Sequence, residues 1–315
     1  MNFIRFSPTY FKKIWGGSGF KDLLGRIVED KKIGESWEIS DRPEVSSVAI
    51  GGKFDKLSIS EILAKDSEYI LGKKWKGRFP VLVKWLDAQY PLSIQVHPCS
   101  ETAKILNSES KNENWFIVNT KPNATIIAGL KNYNAEIEKQ KISDKNWLLE
   151  NLREINAQKG DSIFIQSGCI HSIGAGNIIL EIQDNSDTTY RLYDWEEHRA
   201  RQLHIKESLI CANTAINVNI VKTDEKSIKS DEKLYNETLL CNSENFEIRF
   251  YRLNEGDTLN LDTGSAKIIS SIDGILEDSN GDKIMPYENV LLPAKESSKL
   301  ISRSCCQVLI TTVKI

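Results

Sequence analysis

Four histidines stand in the 315 residues, His97, His171, His198 and His204, so any histidine-based chemistry draws on few members. Around the first, PLSIQVHP (Pro91 to Pro98) alternates: Leu92, Ile94 and Val96 point one way along an extended chain, and Ser93, Gln95 and His97 the other. One strand face is therefore polar. Gln95 and His97 lie ~7 Å apart on such a strand, a spacing at which two side chains converge on one ion. Neutral imidazole suits zinc or another borderline first-row metal, with amide or carboxylate oxygens completing the shell. Around the second histidine, GDSIFIQSGCIH (Gly160 to His171) reads as a Gly-Asp turn, a strand, a Gln-Ser-Gly reversal and then the histidine. His198 and His204, in the polar stretch EEHRARQLH, read as hydrogen-bonded core or surface residues and receive no role.

Six cysteines are scattered without the spacing of a disulfide framework or a CxxC zinc site, so they read as reduced thiols. Cys99 and Cys169 lie two positions from His97 and His171. Pro98 interrupts the strand before Cys99, which disfavours cysteine ligation. The net charge of -3 carries no polyanion-binding signature, and neither a signal-peptide core nor an apolar run of membrane-spanning length is present. The expected partner is a small molecule rather than nucleic acid or membrane, and the expected location is the cytoplasm.

The elements that must position these residues are mostly short strands punctuated by Gly, Pro, Asn and Asp. The spacing G-x5-Q-x-G-x2-H, Gly160 to His171, resembles the second cupin motif with Gln166 where proline is usual. Gln95-Val96-His97 followed by Glu113 resembles the first, Gln replacing its first histidine. Two half-motifs in the right order favour ligation over a core role for His97 and His171. The resemblance implies a mainly β protein, a cupin (jelly-roll) barrel with helical attachments. Ser58-x-x-Glu61 is a capping box opening a helix towards Leu71, Ser143-Asp144 caps a second, and a short third follows Ser100. The charged stretch Val221 to Glu237 reads as a connection, so residues 1–225 are expected to form the metal-binding domain and 226–315 a smaller, degenerate cupin-like β domain. Asn289-Val-Leu-Leu-Pro293-Ala faintly echoes Gly160 to Gly168 without a histidine, so only the first barrel keeps a metal site.

Beyond the cupin pattern, LVKWLDAQYPLSIQVHP, the Lys111-x-Glu113 pair, EIQDNSDTTYRLYD, IWGG (Ile14 to Gly17) and GESWEIS (Gly34 to Ser40) resemble the type I phosphomannose isomerases, in their compact bacterial form. The resemblance covers roughly residues 5 to 210. It implies one zinc ion held by Gln95, His97, Glu113 and His171, and interconversion of mannose 6-phosphate with fructose 6-phosphate. It also implies that Ser93 and Lys111 contact the substrate phosphate and that Arg191 is the active-site arginine. Strand faces agree with these transfers: Ser93 falls beside Gln95 and His97, Lys111 beside Glu113, and Arg191 in line with Asp187, Thr189 and Tyr193. The A-G-x-T-P-K pattern of longer relatives is replaced by Leu192-Tyr193-Asp194-Trp195, so a lysine from that pattern has no counterpart.

Aldose to ketose conversion through an enediol needs a group that moves a proton and positive charge near the forming oxyanion. A metal and Arg191 suit the second task. For the first, Glu181, which shares a face with Gln183, and Asp187 are candidates, and Lys84 either binds substrate or orients Glu113. Two other classes compete with the isomerase: another cupin metalloenzyme such as an iron dioxygenase, and a non-catalytic sugar-phosphate-binding protein.

Overall fold

The computed structural model describes residues 3–30, 32–137, 139–195, 201–223 and 236–315. The chain forms two compact units, one of residues 10–36 and 84–222, the other of residues 1–9, 37–83 and 223–315.

Two sheets, built mostly from the first unit, face each other. One has the strand order Ile220–Lys222, Asp161–Ile165, Glu113–Thr120, Asn177–Asp184, Val81–Ala88, Ile33–Ile39, Thr9–Gly17. The other is antiparallel throughout, in the order Tyr190–Tyr193, Ile94–Val96, His171–Ile173, Thr125–Leu130, Leu152–Asn156. Trp15, Leu86, Trp115 and Ile163 from one sheet pack against Ile126 and Ile173 from the other in a single buried core. This is the sandwich of a jelly roll. The outer face of the five-stranded sheet is apolar too, and the helix Lys145–Asn151 seals it through Leu148 against Ile94, Ile127, Leu130 and Leu192.

The second unit follows the same plan, with a seven-stranded and a four-stranded sheet enclosing Tyr251, Leu259, Ile269, Leu276, Leu300 and Val308. It contains no histidine. The expected boundary at 225/226 lies outside the described residues, and the observed division is discontinuous where the reading was continuous. Register explains the difference: the strand Ile4–Phe6 pairs with Asn289–Leu292, Ile4 opposite Leu291, so the chain begins in the unit where it ends.

All three expected helices form. Ser58 and Glu61 make the reciprocal capping box of Ile59–Leu71, Asp144 accepts from Trp147 N–H to cap Lys145–Asn151, and Ser100–Leu106 follows Cys99. A further helix not anticipated from the sequence, Ile205–Cys211, starts directly after His204. The strand around Gln95 is shorter than its alternation implied, Ile94–Val96, because flanking Pro91 and Pro98 cannot donate to a ladder. Ser93 and His97 sit just beyond its ends. Gly168 N–H nevertheless holds the His97 carbonyl at 2.8 Å. That glycine sits at φ +85, where a Cβ would stand 3.1 Å from the Cys211 carbonyl oxygen, and this left-handed turn delivers His171 to its strand.

Candidate metal and active site

One row of neighbours across the five-stranded sheet carries half of the site. Arg191 lies opposite Gln95, Gln95 opposite His171, and His171 opposite Ala128. Residues directly opposed in antiparallel strands project to the same face, so these side chains emerge together. The facing sheet supplies the other half from two rows, Ile165, Glu113 and Gln183, and then Ile163, Trp115 and Glu181. Residues two apart on a strand share a face, which brings Glu113 and Glu181 to the same side. Trp115 joins the halves: its Nε1 donates to Glu181 Oε2 at 2.9 Å and its ring meets His171 edge-on at 5.5 Å.

At the centre are His97, Glu113 and His171, all buried, with their candidate ligand atoms within 4.8 Å of one another. His97 Nε2 is 3.3 Å from Glu113 Oε2, and His171 Nε2 is 3.3 Å from Glu113 Oε1. The other ring nitrogens face backbone carbonyls, His97 Nδ1 that of Thr188 at 2.8 Å and His171 Nδ1 that of Cys169 at 2.9 Å. A carbonyl only accepts, so each Nδ1 carries the proton and each Nε2 turns a lone pair towards the carboxylate. Burial, reinforced by the Lys111 charge, pushes His97 down to about 3, and burial likewise lowers His171, so both rings are neutral at pH 7. Among the described residues, neither oxygen of Glu113 accepts a hydrogen bond of ordinary geometry. Two imidazole lone pairs and a carboxylate converging without an intervening proton fit a divalent cation.

Positive charge is already drawn to this cluster. Lys111 Nζ lies 2.6 Å from Glu113 Oε2, an ion pair without hydrogen-bond alignment, and 3.3 Å from His97 Nε2. Burial disfavours charge on both partners, yet their attraction prevails: Glu113 is held well below the usual carboxylate range and Lys111 above the usual ammonium range. Gln95 Nε2 lies 3.2 Å from His171 Nε2, while Ser93 donates to Gln95 Oε1 at 3.3 Å. A half-turn exchanges amide oxygen and nitrogen, so this position also offers the centre an oxygen. Neither Cys99 nor Cys169 joins the cluster among the described residues. Burial pushes the Cys169 thiol up to about 12, which keeps it protonated.

Beside the centre opens a cleft of about 370 Å³ whose lining includes Lys84, Ser93, Lys111, Glu181, Asp187 and Arg191. Lys84 Nζ lies 3.7 Å from both Glu181 Oε1 and Asp187 Oδ1. Burial and the nearby Glu113 charge raise the Glu181 carboxyl despite Lys111 and Lys84. Every candidate named from the sequence thus reaches either the cluster or the cleft. Tyr193 does not follow Arg191 there: the register shifts between them, and Tyr193 instead packs edge-on against Trp195 at 5.5 Å and lines a separate cavity with Leu148 and Ile205. Trp15, Glu35, Arg201 and His204 also line the cleft and had received no site role. For Trp15 and Glu35 a signal was present, since they lie within IWGG and GESWEIS.

These charges set a pH dependence for the chelated protein. Below about 6.5 the unfolded histidines take up protons that the folded, buried rings refuse until about 3 for His97, and folded Glu113 stays ionised below the unfolded carboxylate range. The unfolded state therefore binds more protons, and stability present at neutral pH is lost as pH falls across this window. The melting temperature of the chelated protein, followed by calorimetry, is expected to drop steadily from pH 7 to pH 4. A flat profile would contradict neutral, buried imidazoles.

The family model described as phosphomannose isomerase type I, catalytic domain, matches residues 3–137. Mannose-6-phosphate isomerase ManA of Bacillus subtilis is 37% identical over 210 residues, 65% of this chain and 66% of that protein. The mannose-6-phosphate isomerase of Streptococcus mutans is 37% identical over 205 residues, 63% of this chain and 64% of its own length. The matched region thus spans slightly less than two thirds of these curated relatives. In three dimensions the likeness is longer: a crystal structure of the mannose 6-phosphate isomerase from Bacillus subtilis superposes with a TM-score of 0.85 at 26% identity, covering 99% of both chains. A mutant phosphomannose isomerase from Salmonella typhimurium, at 15% identity and a TM-score of 0.79 over the whole of both chains, shares the fold. Motifs, fold and comparisons converge: residues 3–137 match the catalytic domain of the type I phosphomannose isomerases, and the chain shares the fold of the Bacillus subtilis enzyme over nearly its whole length.

Proposed function

We propose that this chain is a zinc-dependent isomerase that interconverts mannose 6-phosphate and fructose 6-phosphate through an enediol. The observation that carries this reading is the buried His97–Glu113–His171 cluster opening beside a cleft that contains a further buried carboxyl, Glu181. The match to the family's catalytic domain and the activity named for the curated relatives support it. Gln95, His97, Glu113 and His171 would hold the ion, a donor set of nitrogen and oxygen atoms that suits zinc. When bound, the metal supplies positive charge that polarises substrate oxygens.

The remaining steps belong to side chains. Once Glu113 serves as a ligand, Lys111 is released to face the cleft and, with Ser93, to take the substrate phosphate. Glu181 moves the proton between the two carbons, since a carboxyl raised towards neutrality both accepts and returns a proton readily. Asp187 is the second candidate for this role, and Lys84 holds both carboxylates in place. Arg191, with its Nε buried and unpartnered among the described residues, places a fixed positive charge at the forming oxyanion.

A coupled assay with mannose 6-phosphate tests the reading. Chelation is expected to reduce the rate to about 1% or less, and zinc to restore it. Activity indifferent to chelation and add-back would refute the metal's part, and absence of activity in the zinc-loaded protein would refute the function.

A further inference from the structure

Arg191 lies on Tyr190–Tyr193, the edge strand of its sheet, where the outward N–H and C=O of the backbone have no neighbouring strand among the described residues. One residue satisfies both. Arg191 N–H donates to His204 Nδ1 at 3.2 Å, and His204 N–H donates to the Arg191 carbonyl at 2.8 Å. The clamp sits where it matters for side-chain direction, because the register shifts immediately after Arg191. His204 is itself anchored: its carbonyl accepts Ser208 N–H at 2.9 Å at the start of the helix Ile205–Cys211, and its ring rests edge-on against Tyr190 at 5.9 Å. Arg191 Nε, by contrast, has no hydrogen-bond partner among the described residues although buried. The guanidinium is therefore aimed from the backbone rather than pinned at Nε.

We propose that His204 is a positioning residue that acts through Nδ1, fixing the backbone of Arg191 so that its guanidinium stands at the reacting end of the cleft. Because Nδ1 accepts, the neutral ring carries its proton on Nε2. The inference rests on the isomerase reading for its kinetic consequence but not for the clamp.

Asparagine and glutamine separate the two ring nitrogens, since an Asn amide oxygen occupies roughly the place of Nδ1 and a Gln amide that of Nε2. For His204→Ala and His204→Gln, kcat is expected to fall about tenfold, with KM within about twofold and metal content unchanged, because Arg191 acts on developing charge rather than on ground-state binding. His204→Asn is expected to recover to within about threefold of the parent kcat. Recovery by Gln and not Asn would overturn the inference in favour of the Nε2 edge, and parent-like kcat in His204→Ala would overturn it outright. Amide exchange at Arg191, read by NMR, decides independently of activity: protection in the parent and His204→Asn with fast exchange in His204→Gln is expected, and equal protection in all three refutes the clamp. A parent protein without isomerase activity would count against the function, while the exchange data still judge His204. Should His204→Ala fail to fold, the Asn and Gln pair suffices.

Discussion

Replacing Glu113 by glutamine is expected to lower turnover of mannose 6-phosphate by about 10³-fold and to strip zinc from the purified protein. The substitution preserves shape and removes one charge, so its effect isolates the electrostatics of the centre. Two neutral imidazoles and two amides attract a dication far less than a set containing a carboxylate. The same change leaves Lys111 buried without its nearest counter-charge, for which a loss of about 3 kcal/mol in stability is expected. A second change separates the two consequences: Glu113→Gln combined with Lys111→Met should regain much of the melting temperature and none of the activity. Zinc content and turnover near the parent values in Glu113→Gln would sink the proposed ligand set.

Glu181→Gln should behave differently, with kcat reduced by about 10²- to 10⁴-fold, KM little altered and zinc retained. Glu181 stands outside the ligand cluster, so metal binding does not depend on its charge. Its raised pKa also sets a sign: a base must be ionised, so kcat of the parent falls as pH drops through that pKa, and the residual activity of Glu181→Gln should lack this acidic limb. Asp187→Asn is expected to cost less than about tenfold, because the Asp187 side chain is 54% exposed and its field is screened by water. Near-normal rates in both variants would remove both carboxylates from the proton-transfer role.

What could be read in the sequence follows from the range of the interactions involved. Capping boxes, strand alternation and proline breaks are local, and Ser58, Asp144 and the polar face around Gln95 were accordingly legible. Glu113 and His171 became legible only through their resemblance to cupin and isomerase motifs, since strand pairing brings them to His97 from 16 and 74 positions away. The register shift after Arg191 has no local signature, so Tyr193 was expected on the wrong side. His204 gave still less: its role depends on an edge strand thirteen residues earlier, and its own neighbours are merely polar. The discontinuous division escaped for a similar reason, because nothing in Ile4–Phe6 announces a pairing with Asn289–Leu292.

The cross-strand row of Arg191, Gln95, His171 and Ala128 also limits how this chain can change length. A strand slipped by one residue turns every side chain to the opposite face. In Ile94–Val96, a three-residue strand between prolines, such a slip would send Gln95 into the apolar layer sealed by Leu148 and bring Ile94 to the centre. No neighbouring residue can absorb the error within so short a span. Insertions and deletions are thus confined to the connections, and the candidate centre is encoded as much by the count of residues between its members as by their identities.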